Sequence, residues 1–180
     1  VCKAAADLYH RLLLEHPKAQ FVRDYLAKRQ ISVDTIEAWQ LGFAPDAWDV
    51  LNTQLVQRKF LAEDIFQAGL TVKKDRGVGY TDRFRNRLMF PIGDTHGNVI
   101  GFGGRWLGQE KDIAKYINTP QTVVYNKSAV LYGIDKAKVA IKKERLAIIV
   151  EGYMDCIGVG GGGGQGGGGG KLLQDQFISQ

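Results

Sequence analysis

The hydrophobic pattern of the first part of the chain is helical. Apolar residues recur at helical spacing over residues 4–15 and again after Pro17, which predicts two amphipathic helices. Ser32 precedes an acidic first turn and predicts the N-cap of a third helix, which we expect to end at Gly42. Two further helices are predicted at about 46–58 and 61–68, the latter stopped by Gly69.

After Gly69 the pattern changes to short apolar runs separated by turn residues, which predicts β-strands. The runs are Leu70–Val72, Leu88–Phe90 and Val99–Phe102. Gly97-Asn98 supplies residues that tolerate positive φ and predicts a tight hairpin. Further on, a helix is predicted over 135–143. The uniformly apolar run up to Val150 predicts a fully buried strand of the parallel type.

These elements predict an α/β chain built in consecutive parts. An α+β subdomain comprises a helical block over 1–69 and a β-rich part with a small mixed sheet over 70–145. The first strand and helix of a second, α/β domain follow over 146–157. Ten of the 23 glycines lie between 160 and 170, so 158–170 is predicted to be a flexible Gly-rich linker or an unassigned segment, and an engineered insertion has the same composition. Residues 171–180 have apolar positions that suit a short helix.

The charge of the chain is concentrated in its middle part. The net charge of +5 divides into −1 over residues 1–69, +8 over 70–145 and −2 over 146–180. Clustered Lys and Arg favour a polyanion such as a phosphate backbone. A solvated basic face has the same composition, and composition alone does not distinguish the two.

Other features exclude several classes of protein. No apolar run approaches the roughly 20 residues of a membrane-spanning helix, so we expect no membrane crossing. The start at Val1 lacks a secretory signal and an initiator Met, which predicts an excised fragment. Cys2 and Cys156 make no disulfide framework, so a reducing compartment is expected. The three histidines are isolated, so no zinc site is expected.

The segment Glu151-Gly152-Tyr153-Met154-Asp155 follows the predicted parallel strand, at the sheet edge where α/β proteins bind ligands. Glycine allows a tight turn there, and the carboxylates of Glu151 and Asp155 suit a hard divalent cation. Two exposed acids with no ligand would have the same sequence.

Three arginines alternate in the segment that leads into the second strand. Strand periodicity predicts that Arg83, Arg85 and Arg87 share one face, with Phe84 on the other. Their mutual repulsion favours an anionic partner over a merely solvated face.

Weaker signals lie downstream. Glycines before Arg105 permit close approach of a nucleotide, although a bulged strand end has the same composition. Lys115 and Lys127 lie near tyrosines, as in proteins that hold single strands by stacking and charge.

Ordered along the chain, these motifs resemble the catalytic core of bacterial DnaG-type DNA primases. The similar segments, in order, are Arg83–Ile92, Val99–Arg105, Lys115–Pro120, Leu131–Gly133 and Val150–Asp155, with upstream similarity at Tyr25–Arg29 and Leu41–Pro45. The resemblance covers about residues 8–157.

This resemblance implies a DNA-directed RNA polymerase that makes short RNA primers, with a TOPRIM domain beginning at 146–157. It implies Glu151 as the catalytic and metal-binding glutamate and Asp155 as a second metal ligand, with Mg²⁺ or Mn²⁺ and no zinc in this region. The residues implied in nucleic-acid or nucleotide binding are Arg29, Arg83, Arg85, Arg87, Arg105, Lys115, Tyr116, Asn118 and Lys127.

The implied partners are single-stranded DNA, NTPs and the RNA primer, with replicative helicase and single-strand-binding protein engaged through other regions. The implied location is the cytoplasm, at the replication fork. The family's Asp-x-Asp pair has no counterpart here, so we expect this fragment not to polymerise alone. A non-catalytic module that binds single-stranded nucleic acid is the alternative.

Overall fold

The computed structural model describes residues 1–110, 112–160 and the backbone of 172–174. Its α-helices are α1 (Cys2–Glu15), α2 (Gln20–Lys28), α3 (Val33–Ala38), α4 (Val50–Gln57), α5 (Ala62–Gln67), α6 (Ile134–Glu144) and α7 (Tyr153–Gly160). Short 3-10 turns lie at Pro17–Ala19 and Lys127–Ala129. Within these ranges, no helix has the length and apolar character that crossing a membrane requires.

Of the two residues predicted to bound the third helix, Ser32 is confirmed and Gly42 is not. The Ser32 hydroxyl accepts a hydrogen bond from the Thr35 N–H (3.2 Å), which confirms it as the N-cap of α3. The prediction that this helix reaches Gly42 is wrong. Gln40 takes a positive φ of 49° and turns the chain after Ala38, so that Gly42 instead opens a strand.

An antiparallel four-stranded sheet forms the centre of the fold. Its strands are β1 (Gly42–Ala44), β4 (Arg87–Gly93), β5 (Val99–Trp106) and β6 (Tyr116–Asn118), in the order β1-β4-β5-β6. A separate antiparallel pair comprises β2 (Thr71–Lys73) and β3 (Tyr80–Asp82). The α+β class is confirmed. The expected mixed sheet is antiparallel throughout, because each neighbouring pair of its strands runs in opposite directions.

The predicted hairpin joins β4 to β5. Of the predicted pair, only Gly97 has a positive φ, of 88°. The Asp94 carboxylate fixes the turn by accepting the backbone N–H groups of His96 (2.7 Å) and Asn98 (3.0 Å).

The two faces of the sheet contact different hydrophobic cores. Leu88 and Phe90 point into a first core with Phe43 and Tyr153, whereas Met89 on the intervening position points into a second core. The second core also contains Tyr9, Leu51, Phe84 and Phe102. The sheet is therefore buried on both sides, and each strand position belongs to one face or the other.

The C-terminal part forms a β-α-β unit. Strand β7 (Ile148–Val150) pairs in parallel with β8 (Leu172–Gln174), and α7 lies between them in the chain. The parallel pairing agrees with the prediction, but the predicted full burial is wrong: Ile148 and Ile149 are 39% and 58% exposed. Within the described residues, no second layer covers their side chains.

Two other predictions for this region are wrong. Residues 158–160 belong to α7 rather than to a coil, and 172–174 form a strand rather than part of a helix. The strand forms because this apolar run completes a backbone ladder beside β7. The rest of the predicted linker and terminal helix, 161–171 and 175–180, lies outside the described residues.

A buried carboxylate ties β3 to α4. Asp82, 5% exposed, accepts the backbone N–H groups of Leu51 (2.7 Å) and Asn52 (3.0 Å), two of the unpaired donors in the first turn of the helix. Burial raises the pKa of the Asp82 carboxyl, and the two backbone donors oppose that rise.

We predict that Asp82→Ala lowers the free energy of unfolding by about 2 kcal/mol, because it removes a cap and leaves buried N–H groups unpaired. Urea denaturation measures the change. Asp75→Ala, in the exposed turn between β2 and β3, is the control and should change stability by less than about 0.5 kcal/mol. Equal effects of the two variants would contradict the role of Asp82.

The same carboxyl gives a signed pH dependence. Its raised pKa means that the folded state binds the proton more tightly, so its contribution to stability is fully present below the unfolded pKa and is lost as pH rises through the folded pKa. We therefore predict that, as pH rises from the unfolded-state pKa of Asp82 through its folded-state pKa, the free energy of unfolding of the parent chain falls relative to that of Asp82→Asn.

Candidate nucleic-acid and nucleotide interface

Alternating arginine and tyrosine side chains line the first-core face of the sheet, near its β6 edge. Arg29 lies over the Tyr25 ring at 5.4 Å from its centroid. Arg105 lies 5.2 Å from the centroids of both Tyr25 and Tyr116, and its Nη1 donates to the Tyr116 hydroxyl. We call Arg29, Tyr25, Arg105 and Tyr116 the arginine–tyrosine ladder.

Two polar atoms of the ladder have no hydrogen-bond partner within the described residues. The Tyr25 hydroxyl and the Arg105 Nε are buried, and neither has a hydrogen-bond partner within the described residues. Burial raises the pKa of Tyr116, although the Arg105 charge opposes the rise. The Tyr25 hydroxyl and two guanidinium groups, one of them with its Nε unpaired, fit an anionic oxygen ligand such as a phosphate.

Helix α7 brings acidic groups to the same place. Tyr153, two residues before Asp155 on this helix, has its ring centroid 6.0 Å from that of Tyr116 in the ladder. A Cβ added at Gly152 would lie 2.6 Å from Asp155 Oδ2, so the carboxylate folds back over the glycine that follows Glu151. Glu151 and Asp155 are both exposed.

The two carboxylates fit part of a magnesium shell. They offer the oxygen donors that Mg²⁺ prefers, and the neighbouring cations suit phosphates that would supply further oxygens. Across the described residues, no group of three or more His, Cys, Asp or Glu side chains could hold a metal ion. These residues are therefore compatible with a site that draws its remaining ligands from elsewhere.

A second cation–aromatic surface lies in the loops that follow β1 and β3. The Arg85 guanidinium stacks 3.3 Å from the centroid of Trp48, and Trp48 is 63% exposed. The Arg85 Nη1 is buried without a hydrogen-bond partner in the described residues. Trp48 is tied to β3, because its carbonyl accepts the Asp82 N–H at 2.7 Å.

The three arginines do not share one strand face, so that prediction is wrong. Asn86 takes a positive φ of 50°, and β4 begins only at Arg87, so the segment before it does not alternate as a strand would. Arg83 donates to the Gly69 carbonyl at 2.8 Å. Arg85 is the one that stacks on Trp48.

Arg87 is buried and its guanidinium contacts backbone carbonyl groups. It is 6% exposed, and its Nη1 donates to the carbonyls of Gly104 (3.2 Å) and Lys115 (3.4 Å). Its guanidinium also lies 5.8 Å from the centroid of Trp106. Burial, and then the nearby Arg85 charge, lower its pKa.

The remaining predicted residues lie at the edge of this arrangement. Asn118 shares β6 and the first-core face with Tyr116. Lys115 is exposed just before β6, where its carbonyl accepts the Trp106 N–H at 2.8 Å. Lys127 begins a 3-10 turn, and no contact within the described residues joins it to the ladder or to Trp48.

Sequence reasoning missed three aromatic residues. Tyr25 precedes Arg29 by one helical turn, a spacing that places both side chains on one face and could have identified the pair. Trp48 and Tyr153 carry no such local signal, because the residues they contact are distant in the sequence.

Comparison with known proteins decides the family. Residues 8–138, well over half of the chain, match the family "DNA primase catalytic core, N-terminal domain". The chain belongs to this DNA primase family. It is 44% identical over 158 residues to the DNA primase of Synechococcus elongatus, an alignment that covers 87% of this chain and 22% of that protein.

Solved primase structures have the same fold. The RNA polymerase domain of Mycobacterium tuberculosis primase DnaG aligns with a TM-score of 0.86 and 35% identity, covering 98% of this chain and 55% of that one. A DnaG primase catalytic domain bound to single-stranded DNA aligns with a TM-score of 0.82 and 34% identity, covering 99% of this chain and 55% of that one. The chain thus spans about a quarter of the curated relatives and about half of the solved domains.

Proposed function

We propose that this chain is part of a DNA-directed RNA polymerase that synthesises short RNA primers on single-stranded DNA. The observation that carries the proposal is the arginine–tyrosine ladder, to which Tyr153 joins the turn that contains Glu151 and Asp155. Together they would supply cations for a triphosphate and carboxylate oxygens for a metal ion, on a chain of the primase family. The TOPRIM domain would begin at residues 146–157, as the sequence resemblance implies.

The chemistry would be nucleotidyl transfer. The primer 3′-hydroxyl attacks the α-phosphate of the incoming NTP, and pyrophosphate leaves from the opposite side. Glu151 and Asp155 would hold Mg²⁺ or Mn²⁺, which supplies charge neutralisation and activates the attacking hydroxyl when bound. Arg29 and Arg105 would stabilise the negative charge on the triphosphate, and Glu151 would also assist proton transfer.

The second surface would hold the template. Arg85 offers a positive charge to a backbone phosphate, and the exposed ring of Trp48 offers a stacking platform for a base. The sequence-implied residues Arg83, Lys115, Tyr116, Asn118 and Lys127 would add to the path of template and nucleotide. Arg87, also implied by the sequence, would instead support the fold through its contacts with the carbonyls of Gly104 and Lys115. The strand would pass from this surface around the β6 edge to the ladder.

The full-length protein would act at the replication fork in the cytoplasm. Its partners would be single-stranded DNA, NTPs and the RNA primer, with replicative helicase and single-strand-binding protein engaged through regions outside this chain. The 180-residue chain alone should make no primers, because its sequence lacks the Asp-x-Asp pair that the resemblance implies.

We predict that Glu151→Gln in the full-length gene product lowers primer synthesis by at least about 100-fold, because it removes a carboxylate from the reacting centre. Synthesis is measured on single-stranded DNA with Mg²⁺ and labelled NTPs. Glu144→Gln, which removes an exposed acid at the end of α6, is the matched control and should leave the rate unchanged. An active Glu151→Gln protein would refute the role of Glu151. Template binding without any synthesis by the parent protein would favour the non-catalytic module.

We also predict that Trp48 and Arg85 contribute to template affinity in different ways. Arg85→Ala should weaken binding and reduce the salt dependence by about 0.7 in slope, as expected for one lost phosphate contact. Trp48→Ala should weaken binding by about 1–3 kcal/mol with little change in slope, because stacking carries no charge. Fluorescence anisotropy with a labelled oligonucleotide at several salt concentrations measures both.

The control for this pair is Arg58→Ala, which removes an exposed charge at the end of α4. If Arg85→Ala and Arg58→Ala change affinity and salt slope equally, the Trp48–Arg85 surface is not a template site.

A further inference from the structure

Tyr153 connects the acidic turn of α7 to the β6 edge of the sheet. It is 3% exposed, and its hydroxyl donates a hydrogen bond to Asn118 Oδ1 at 2.7 Å. Its ring stacks on Phe90 with centroids 4.8 Å apart and planes 9° apart, and it meets Tyr132 edge-on at 4.8 Å. The ring is therefore held from two sides while its hydroxyl reaches β6.

The sheet accommodates this ring at one glycine. A Cβ added at Gly103 would lie 2.5 Å from Tyr153 Cζ, closer than atoms in contact can approach. Gly103 is the register partner of Asn118 on β6, so the absent side chain opens the path from Tyr153 to that amide. The backbone thus lets the Tyr153 hydroxyl reach Asn118.

The hydrogen bond determines how Asn118 presents its amide. Because Oδ1 accepts from the Tyr153 hydroxyl, the amide is held with its oxygen towards α7. Within the described residues, the Asn118 Nδ2 makes no hydrogen bond. Burial raises the pKa of Tyr153 well above its ordinary value, so the hydroxyl remains a donor throughout the working pH range. The adjacent Thr119 hydroxyl is already used, because it accepts the Phe102 N–H at 2.9 Å.

Tyr153 also lies between the two acids of the turn. It follows Glu151 by two residues and precedes Asp155 by two, so its contacts hold this turn against the strands that carry Arg105 and Tyr116. One side chain therefore links the candidate metal ligands, the Asn118 amide and the ladder.

We propose that Tyr153 is a positioning residue for nucleotide binding: its hydroxyl fixes the Asn118 amide so that the Nδ2–H groups donate to an acceptor oxygen of the incoming NTP. This inference rests on the proposed primer synthesis. Tyr153 itself does not touch the nucleotide.

The test is Tyr153→Phe in the full-length gene product, which keeps the ring and removes only the hydroxyl. The expected result is a rise of roughly fivefold to tenfold in the KM for NTP in primer synthesis, the size of one lost hydrogen bond, with template affinity unchanged and only a small fall in melting temperature. Asn118→Ala should raise the KM at least as much. The double variant should be no worse than Asn118→Ala alone, because both remove one interaction.

The matched control is Tyr132→Phe. Tyr132 belongs to the same aromatic group, and its buried hydroxyl has no hydrogen-bond partner within the described residues, so its removal should leave the KM unchanged.

Two outcomes overturn the inference and can be told apart. If the parent protein makes primers and Tyr153→Phe has the same KM as Tyr132→Phe, or its defect adds to that of Asn118→Ala, the positioning role is wrong while the proposed function stands. If the parent protein makes no primers, the proposed function fails and the inference fails with it.

Discussion

The alternation of side chains along β5 determines which residues of this protein meet. Gly103 and Arg105 point to the first core, towards Tyr153 and Tyr116, whereas Phe102 and Gly104 point to the second core. A shift of one residue in the β4–β5 register would exchange these faces. The tight hairpin at Gly97 and the burial of both faces fix that register, so the position of the arginine–tyrosine ladder depends on it.

Three arginines are oriented by aromatic rings and carbonyl groups. Arg85 stacks on Trp48, Arg105 lies between two tyrosines, and Arg87 donates to backbone carbonyls. Such contacts orient a guanidinium group without removing its charge. The buried Arg87 serves the fold, whereas Arg105 in the ladder and Arg85 beside the exposed Trp48 are placed to contact a polyanion.

Local signals in the sequence predicted the elements well. Periodicity and capping located the helices, and the Asp94–Asn98 turn predicted the central hairpin. The arginine segment was misjudged because the positive φ of Asn86 interrupts the strand, and strand periodicity carries no sign of such a break. The exposure of Ile148 and Ile149 could not be predicted either, because an apolar run does not show which other elements pack against the strand.

The candidate site was predictable only in part. The resemblance to primases grouped Arg29, Arg105 and Tyr116 among the implied binding residues. In the structure these three lie in the ladder, although they come from the end of α2, from β5 and from β6. It did not separate these residues from Arg85, which lies in the loop before β4 and stacks on Trp48, a residue distant in the sequence. Trp48 and Tyr153 depend on contacts between distant segments and could not be found locally.

The arginine–tyrosine ladder is the proposed binding place of the incoming nucleotide, and photo-crosslinking of the full-length gene product is the sharpest test of that placement. An azido-NTP, added without DNA, is crosslinked to the protein, and the labelled residues are mapped by mass spectrometry. The expected result is labelling of Tyr25 or Tyr116. Labelling of Trp48 with none at the ladder would refute the placement.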